Sequence, residues 1–286
     1  MGCPSRLPAV RVRPPIAGVV IPAHNEERGI ARSLSLLGNE FDVVVVANAC
    51  TDATADVARA AGVKVVETPV AGKVHALALG DEVCATFPRV YLDADVDLTA
   101  ESLRAMVSEL TADDTALACA PVPELDLTGC SRVAAGFHRT IARLLAHRRG
   151  LSGTGAYMVT ERGHARIFPM PEVVNDDGYV QRRFSLAEKR IVRSARAVVR
   201  PARTVPALVR RRARVRLGNR QLDALGLTGH EPPLALGQLR GLVSSGEVAR
   251  LDALCFLAVL AVEKVLARWR RLTGVTAEWS TDRTTR

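Results

Sequence analysis

Apolar and polar positions alternate in blocks along the first 111 residues, and each block has the length and spacing of a strand or a helix. Apolar, β-branched runs are typical of strands buried on both faces, and they occupy residues 16–23, 41–49, 63–68 and 89–95. Segments with apolar residues at helical spacing follow these runs, at residues 25–38, 51–62, 72–87 and 99–111. This alternation predicts a parallel, doubly wound α/β sheet.

The pattern weakens after residue 112, but further elements can still be predicted. Residues 116–122 and 153–160 favour strands, and residues 131–150 favour a helix with a basic end. The chain contains no internal repeat, no low-complexity tract and no long linker. We therefore expect one main domain.

The expected domain spans residues 16–225, and its pattern changes between a first half at 16–111 and a second half at 112–225. Residues 1–15 are expected to form a disordered lead, because they contain no periodic apolar pattern. Residues 226–286 are expected to form a C-terminal helical extension.

Composition and charge narrow the range of partners. The 286 residues carry a formal net charge of +9, which favours nucleic acid, an anionic membrane surface or a phosphorylated small molecule. Aromatic residues make up only 4%, which disfavours stacking platforms for single-stranded nucleic acid. The six cysteines lack CxxC spacing, which disfavours a zinc site. The N-terminal segment lacks the apolar core of a signal peptide, so we expect a cytoplasmic protein.

Polar clusters follow three of the predicted strands at the point where each strand ends. They read HNE, NACTD and DAD, and they begin at His24, Asn48 and Asp93. In doubly wound sheets, ligands bind beyond the carboxyl ends of the strands. The sequence therefore predicts a binding site at this end of the sheet.

Three acids, Asp93, Asp95 and Asp97, are spaced two residues apart after the fourth strand. Such residues point to the same side of an extended segment, where their carboxylates repel one another. The pattern fits either a cation site or a solvated turn that leads into the next helix. Thr99, with Glu101 close behind, predicts the N-cap of that helix.

Two common nucleotide-binding signatures, GxGxxG after the first strand and GxxxxGK[ST], do not occur in the chain. Another set of motifs occurs in order: IPAHNEE, NACTDAT, GK, LDAD, SGTGAYMVTERG, VVNDDGYVQRRF and RRRAR. Over roughly residues 16–220 this series resembles family-2 glycosyltransferases of the GT-A fold, in particular bacterial members of the cell-envelope or exopolysaccharide type. The resemblance implies a doubly wound mixed sheet flanked by helices, with a helical tail. It also implies that residues 16–111 are the nucleotide-binding half and residues 112–225 the acceptor half.

The resemblance also implies a hexosyltransferase. Such an enzyme moves a sugar from a nucleotide-diphospho-sugar, here expected to be a UDP-sugar, to a hydroxyl of a glycan, a lipid-linked molecule or a small molecule. A divalent metal, Mg²⁺ or Mn²⁺, assists by neutralising the diphosphate. One catalytic base and no protein nucleophile imply inversion at the anomeric carbon.

Residue by residue, the resemblance assigns the metal to Asp95 and Asp93, with Asp93 also facing the ribose or a metal-bound water. Asp97 lies outside the family motif and is expected to start the following helix. Lys73 opens a helix and is expected to face phosphate.

The same resemblance assigns the nucleoside to residues near the first two strand ends. Glu26 and Asp52 resemble carboxylates that face uridine, although acids at a helix N-terminus are also favourable without any ligand. Pro22 and Ala23 would form the bend against which the base packs.

The catalytic base is open between Asp176 and Asp177, because the segment reads Asn-Asp-Asp where the family commonly has Glu-Asp. The family spacing to Val180 and Arg183 favours Asp177, with Asp176 as a supporting acid. The arginines of the basic motif are expected to bind the donor diphosphate; they are Arg210, Arg211, Arg212 and Arg214.

Residues 189–220 hold twelve Lys and Arg and no acid, which best supports an alternative, a basic nucleic-acid- or membrane-binding scaffold. The stretch lacks interleaved aromatics, so nucleic acid is not expected. A sugar nucleotidyltransferase is a second alternative. It would normally have a glycine-rich phosphate loop, where this chain reads PAHNEERG.

The tail at residues 251–272 contains an apolar run of ten residues, 253–262. A membrane-spanning helix needs about 20. The tail fits either an interfacial helix on the inner face of an anionic membrane or a helix packed against the domain or a partner subunit.

Overall fold

The predicted strands form a single mixed sheet in the computed structural model, which describes residues 14–146, 150–229 and 236–273. The strands are β1 (Ala17–Ala23), β2 (Phe41–Asn48), β3 (Lys64–Thr68), β4 (Arg89–Leu92), β5 (Val96–Leu98), β6 (Ala118–Leu125), β7 (Ala156–Val159) and β8 (Lys189–Val199). Their order across the sheet is β3-β2-β1-β4-β7-β6-β8-β5. Most of the lead expected at residues 1–15 and the end of the predicted extension, 274–286, lie outside the described residues.

Helices cover both faces of the sheet and continue beyond it. They are α1 (Ile30–Leu36), α2 (Thr54–Ala60), α3 (Lys73–Val83), α4 (Ala100–Ala112), α5 (Arg132–Leu145), α6 (Glu161–Ile167), α7 (Asp176–Arg183), α8 (Val205–Ala224), α9 (Leu236–Ser244) and α10 (Arg250–Thr273). Thr99 caps α4 as predicted, because its side chain accepts a hydrogen bond from the Ser102 N–H. Helix α7 was not predicted from the sequence pattern.

The first half of the sheet has the parallel arrangement that the alternation predicts. Strand β1 pairs in parallel with β2 and β4, and β2 pairs in parallel with β3. The second half of the sheet is mixed, as the resemblance implies, and in it β6 runs parallel to β8. There β7 runs antiparallel to β4 and β6, and β5 runs antiparallel to β8.

The expectation for Asp97 is wrong. Strand β4 ends at Leu92, and Asp97 lies inside the short strand β5 rather than at the start of α4. Its carboxylate is buried and forms ion pairs with Arg32 and Arg200. The acids at 93 and 95 therefore lie in a turn between two strands, and Asp97 has a separate, structural set of partners.

Strand β1 is buried on both faces, as its unbroken apolar run predicts. Val19 and Ile21 join one core cluster with residues of α1 and α4, while Val20 joins a second cluster with residues of α3 and α7. A third cluster joins α5, α8, α9 and α10. Among the described residues, no helix is both long enough and apolar enough to cross a membrane.

Helix α3 approaches the sheet closely at Gly80, and this approach positions the helix start at Lys73. A Cβ atom at residue 80 would lie 2.4 Å from Val20 Cγ1 and 3.0 Å from Val46 Cγ2. We expect Gly80→Ala to lower the free energy of unfolding by about 1–3 kcal/mol, because the helix must move off the sheet. Urea denaturation measures this change.

Gly241→Ala is the matched control, since Gly241 lies in helix α9 with open space around its Cα. There the substitution should stabilise the protein by about 0.5–1 kcal/mol. Equal stability of the two variants would contradict this account of how α3 packs.

Candidate active site

A cavity of about 530 Å³ opens beyond the carboxyl ends of β1 and β4, between the start of β7 and the helices α7 and α8. Most of the residues predicted to form the site line this cavity. They are Glu26, Lys73, Asp93, Asp95, Asp176, Asp177, Arg210, Arg211 and Arg214. The structure therefore brings together side chains from positions that are nearly 190 residues apart in the sequence.

Four predicted residues do not line the cavity. Pro22 lines a separate space of only about 10 Å³ beneath it. Ala23 is buried, and its carbonyl accepts a hydrogen bond from Asn48 at 2.8 Å. Asp52 and Arg212 have structural partners, described below.

Lys73 is the cation at the centre of the acidic cluster. Its Nζ lies 2.7 Å from Asp93 Oδ1 and 2.9 Å from Asp176 Oδ2. Burial favours the neutral amine, but the carboxylates of Asp176, Asp93 and Asp177 outweigh burial and raise the pKa of Lys73. Lys73 is thus a permanently charged group that links the turn after β4 to the start of α7.

The backbone of the acidic turn is held on two sides. The Asp93 N–H donates to the Gly155 carbonyl at 2.8 Å, and Ser33 Oγ donates to the Ala94 carbonyl at 3.0 Å. Gly155 has φ = +65°, and a Cβ there would lie 2.4 Å from Val96 Cγ2. Only glycine fits this position, which explains the glycine-containing entry to β7.

Arg200 holds the same turn from a third side. Its guanidinium donates to the Asp95 carbonyl at 3.2 Å and to the Asp97 carboxylate at 2.6 Å, and it lies 3.6 Å from Asp126. Arg32 forms a second ion pair with Asp97. Asp97 therefore contributes to the site indirectly, by orienting the arginine that fixes the Asp95 backbone.

The Asp95 carboxylate carries a charge that the free protein compensates only in part. Burial and the repulsion from Asp93 raise its pKa, while Arg211 and Lys73 act in the opposite direction. None of the ion pairs within 4 Å among the described residues involves Asp95. An additional cation beside Asp95 would relieve this repulsion.

The donor set fits a divalent cation that is shared with a substrate. The described residues contain no group of three or more His, Cys, Asp or Glu side chains placed to hold a metal ion. Mg²⁺, however, commonly binds through one or two carboxylates and completes its shell with substrate phosphates and water. Asp93 and Asp95 at the cavity wall match that arrangement.

The two candidate bases differ in their surroundings. Asp176 is buried beside Lys73. Burial and the repulsion from Asp177 raise the pKa of Asp176 and outweigh the opposite effect of the Lys73 ammonium. Asp177 is partly exposed at the cavity. Its Oδ2 accepts a hydrogen bond from the Gly153 N–H at 2.7 Å, and its Oδ1 accepts one from the Gly178 N–H at 2.8 Å.

Helix α8 divides its arginines between two faces. Arg210, Arg211 and Arg214 lie on the cavity, as expected for positions i, i+1 and i+4 of a helix. Arg212 and Arg216 instead form ion pairs with the buried Glu263 of α10. The ion pair with Glu263 therefore keeps Arg212 out of the cavity, where it was expected to bind the donor diphosphate.

Asp52 connects two loops rather than lining the cavity. Its carboxylate accepts hydrogen bonds from the Thr54 N–H at 3.0 Å and from the Glu27 N–H at 3.2 Å. Burial acts to raise the pKa of Asp52, but these hydrogen bonds outweigh it and lower the pKa. The Glu26 N–H donates to Thr54 Oγ1 at 2.7 Å, which fixes the loop that carries Glu26 into the cavity.

Sequence reasoning missed several polar residues of the cavity, namely Arg182, Arg200, Asn175 and Asn219. Arg200 directly follows β8, and a charged residue at the end of a strand is a sequence signal that could have identified it as part of the site. Asn175 caps α7 by accepting from the Gly178 N–H, and it donates to Asn219 Oδ1 at 2.8 Å. No sequence signal pointed to Asn219, because its role depends on the contact between α7 and α8.

The comparison with protein families agrees with the motifs. The model of "Glycosyl transferase family 2" matches residues 18–145, a little under half of the chain. A search of curated proteins found no match.

Two solved structures with similar folds are named as sugar-transferring enzymes. A mannosyltransferase from Pyrobaculum calidifontis, in complex with GDP-Man and Mn²⁺, aligns with a TM-score of 0.58 and 20% identity, over 93% of this chain and 82% of its own. Glucosyl-3-phosphoglycerate synthase from Mycobacterium tuberculosis, in complex with Mn²⁺, UDP and glucosyl-3-phosphoglycerate, aligns with a TM-score of 0.55 and 20% identity, over 75% of this chain and 81% of its own. The mixed α/β sheet with flanking helices is therefore a GT-A fold, as the motifs implied.

Asp95→Asn should stabilise the metal-free protein, because it removes a half-buried charge that its neighbours compensate only in part. The folded-state pKa of Asp95 is raised, so the folded protein loses stability as pH rises above the ordinary Asp value of about 3.9. We expect Asp95→Asn to raise the free energy of unfolding at pH 7.5 by about 0.5–2 kcal/mol. The gain should disappear near pH 3.5, where Asp95 is protonated in both states.

Urea denaturation in EDTA at both pH values measures this effect. Asp114→Asn, at an exposed acid in the loop between α4 and β6, should change stability by less than about 0.5 kcal/mol. A loss of stability in Asp95→Asn at pH 7.5 would show that the carboxylate is needed for the fold.

Proposed function

We propose that the protein is a metal-assisted, inverting glycosyltransferase that moves a hexose from a nucleotide-diphospho-sugar to an acceptor hydroxyl. The observation that carries this proposal is the cavity at the strand ends. In it the Asp93–Asp95 turn and the acids Asp176 and Asp177 face arginines of α8. The GT-A fold and the match to a glycosyltransferase family model over residues 18–145 support it.

The donor diphosphate would lie between the acidic turn and α8. Arg210, Arg211 and Arg214 have no ion pair among the described residues, so their guanidinium groups are available to phosphate oxygens. Asp95 and Asp93 would hold a divalent cation, which supplies positive charge to the diphosphate leaving group when it is bound. Arg200 keeps the Asp95 backbone in place for that contact.

Asp177 is the proposed catalytic base. It is the more exposed acid of the pair, whereas Asp176 is buried in its ion pair with Lys73. As the acceptor oxygen forms its bond to the anomeric carbon, its proton passes to the Asp177 carboxylate and the bond to the diphosphate breaks. A single displacement of this kind inverts the configuration.

The finer assignments are part of the same proposal. We favour a UDP-sugar donor, with Glu26 facing the nucleoside, and a glycan, a lipid-linked molecule or a small molecule as acceptor. The comparison structures include one with GDP-Man and one with UDP, so the choice between a guanine and a uracil nucleotide in the donor must be tested. We also propose residues 16–225 as the transferase domain with an extension at 226–286, a cell-envelope type of role, and a cytoplasmic location with peripheral membrane contact.

Titration calorimetry with UDP, GDP and dTDP tests the donor site. We expect one nucleotide to bind in the presence of Mn²⁺ and to bind at least about tenfold more weakly in EDTA, because the Asp93–Asp95 turn needs a cation to face a diphosphate. Asp95→Asn should abolish the Mn²⁺ dependence, whereas Asp114→Asn should bind like the wild type.

Metal-independent binding of all three nucleotides that vanishes with salt would overturn the donor site. It would instead favour the basic nucleic-acid- or membrane-binding scaffold.

Slow hydrolysis of the donor tests the base and the stereochemistry, because water can replace the unknown acceptor. With UDP-glucose or GDP-mannose, according to the titration, NMR should detect the β anomer first, since both donors are α-linked. Asp177→Asn should lower the rate by about 10²-fold or more, because the attacking oxygen loses its base.

Glu172→Gln is the control, at an exposed acid five residues before Asp177, and it should hydrolyse the donor like the wild type. First appearance of the α anomer would contradict inversion. An unchanged rate in Asp177→Asn would remove Asp177 as the base.

A further inference from the structure

Helix α10 directs its acidic side chains inward. Glu263 is 1% exposed and pairs with Arg212 and Arg216 of α8. Asp252 accepts hydrogen bonds from Arg139 of α5 at 2.6 and 2.7 Å. The described part of α10 has no other acid, so all of its negative charge is neutralised by the neighbouring helices.

The outward face of the same helix is apolar. At 100° per residue, the exposed apolar positions fall on one continuous stripe of about 140°. The large members of this outer stripe are Leu251, Leu254, Leu257, Val262 and Val265. Leu251, Leu254 and Val265 are 70%, 62% and 68% exposed, so none of the described helices covers either end of the stripe.

An ordinary surface helix turns a polar face to water, whereas α10 is apolar on its outward face as well as on the inward face that contributes Phe256 and Val259 to the third core cluster. From Leu251 to Val265 the outer stripe is about 21 Å long, and it carries no acid. Arg250 and Lys264 are exposed beside it. Apolar patches of this extent on a protein surface mark a contact with another apolar phase or partner.

We propose that the outer stripe of α10 lies in the interface of an anionic lipid bilayer. This deepens one part of the proposed function, the peripheral membrane contact, and it does not depend on sugar transfer. A bilayer interface accepts the apolar face of a helix that lies parallel to the membrane and attracts adjacent cations.

Charge distinguishes the bilayer from a second copy of the chain as the occupant. The protein has a formal net charge of +9, so two copies repel each other, whereas an anionic surface attracts the chain. The cations beside the outer stripe and the lack of acids on it also favour an anionic surface over a second copy of the chain. The run is also too short and too charged at its ends to span the bilayer.

The contact would place the transferase cavity close to the lipid. Helix α8 lies between α10 and the cavity, with Arg212 and Arg216 bound to Glu263 and with Arg211 and Arg214 on the cavity. Only α10 itself and the one helix beneath it, α8, therefore lie between the outer stripe and the proposed diphosphate site.

Vesicle co-sedimentation of the full chain tests the proposal. The probes are vesicles of phosphatidylcholine alone and of phosphatidylcholine with 30 mol % phosphatidylglycerol, as an order-of-magnitude match to an anionic leaflet. We expect binding to the mixed vesicles only, weakened by 0.5 M salt. Leu254→Glu should reduce the partition coefficient by about tenfold or more. The substitution replaces a leucine that would insert into the lipid interface with a negative charge that faces anionic lipid.

Leu225→Glu is the matched control, since Leu225 is 53% exposed at the end of α8 and lies outside the outer stripe. It should bind vesicles like the wild type. Thermal unfolding checks that both variants are folded, and nucleotide titration of the same samples reports separately on the transferase site.

Three results would overturn the proposal. One is equal binding to both kinds of vesicle, and another is equal loss of binding in both variants. The third is a dimer, detected by light scattering, that does not bind vesicles and is dissociated by Leu254→Glu. That result would make the outer stripe an interface between two copies.

Discussion

The ion cluster around Lys73 is the interaction on which the proposed active site depends. One ammonium group contacts Asp93 at the end of β4 and Asp176 at the start of α7, so it connects the turn that follows the sheet strand to the helix on the opposite wall of the cavity. Without it, Asp176 would be a buried carboxylate with no cation, which is a strongly unfavourable state. The close packing of α3 on the sheet at Gly80 and the capping of α7 by Asn175 both serve to bring these groups together.

The buried and half-buried acids of the protein fall into two classes. Asp97 and Glu263 each have two arginine partners, and their roles are structural. Asp95 has no ion-pair partner within 4 Å among the described residues, and the neighbouring carboxylate of Asp93 repels it. An incompletely compensated charge in a cleft is a mark of a functional site, because the missing charge can be supplied by a ligand.

The sequence was sufficient to predict those elements whose structure depends on interactions between residues close together in the chain. Strands β1 to β4, the Thr99 cap and the clustering of polar residues at strand ends all follow from periodicity over a few residues. The partners of Asp97 could not be predicted, because Arg32 and Arg200 lie 65 and 103 residues away in the sequence. The antiparallel insertion of β7 also had no local signal, since four residues of strand pattern do not encode direction.

Arg212 shows why composition alone is a poor guide to the basic stretch. Twelve cations between residues 189 and 220 suggest one continuous basic surface, yet the fold distributes them among separate partners. Arg190 binds Asp113, Arg200 binds Asp97, and Arg212 and Arg216 bind Glu263. What remains on the cavity is a small group of α8 side chains one helical turn long, which matches a diphosphate in size better than the backbone of a nucleic acid. The same division reaches α10, because the two arginines that α8 offers allow Glu263 to be buried and keep its charge off the exposed face of α10, whose large residues are leucine and valine.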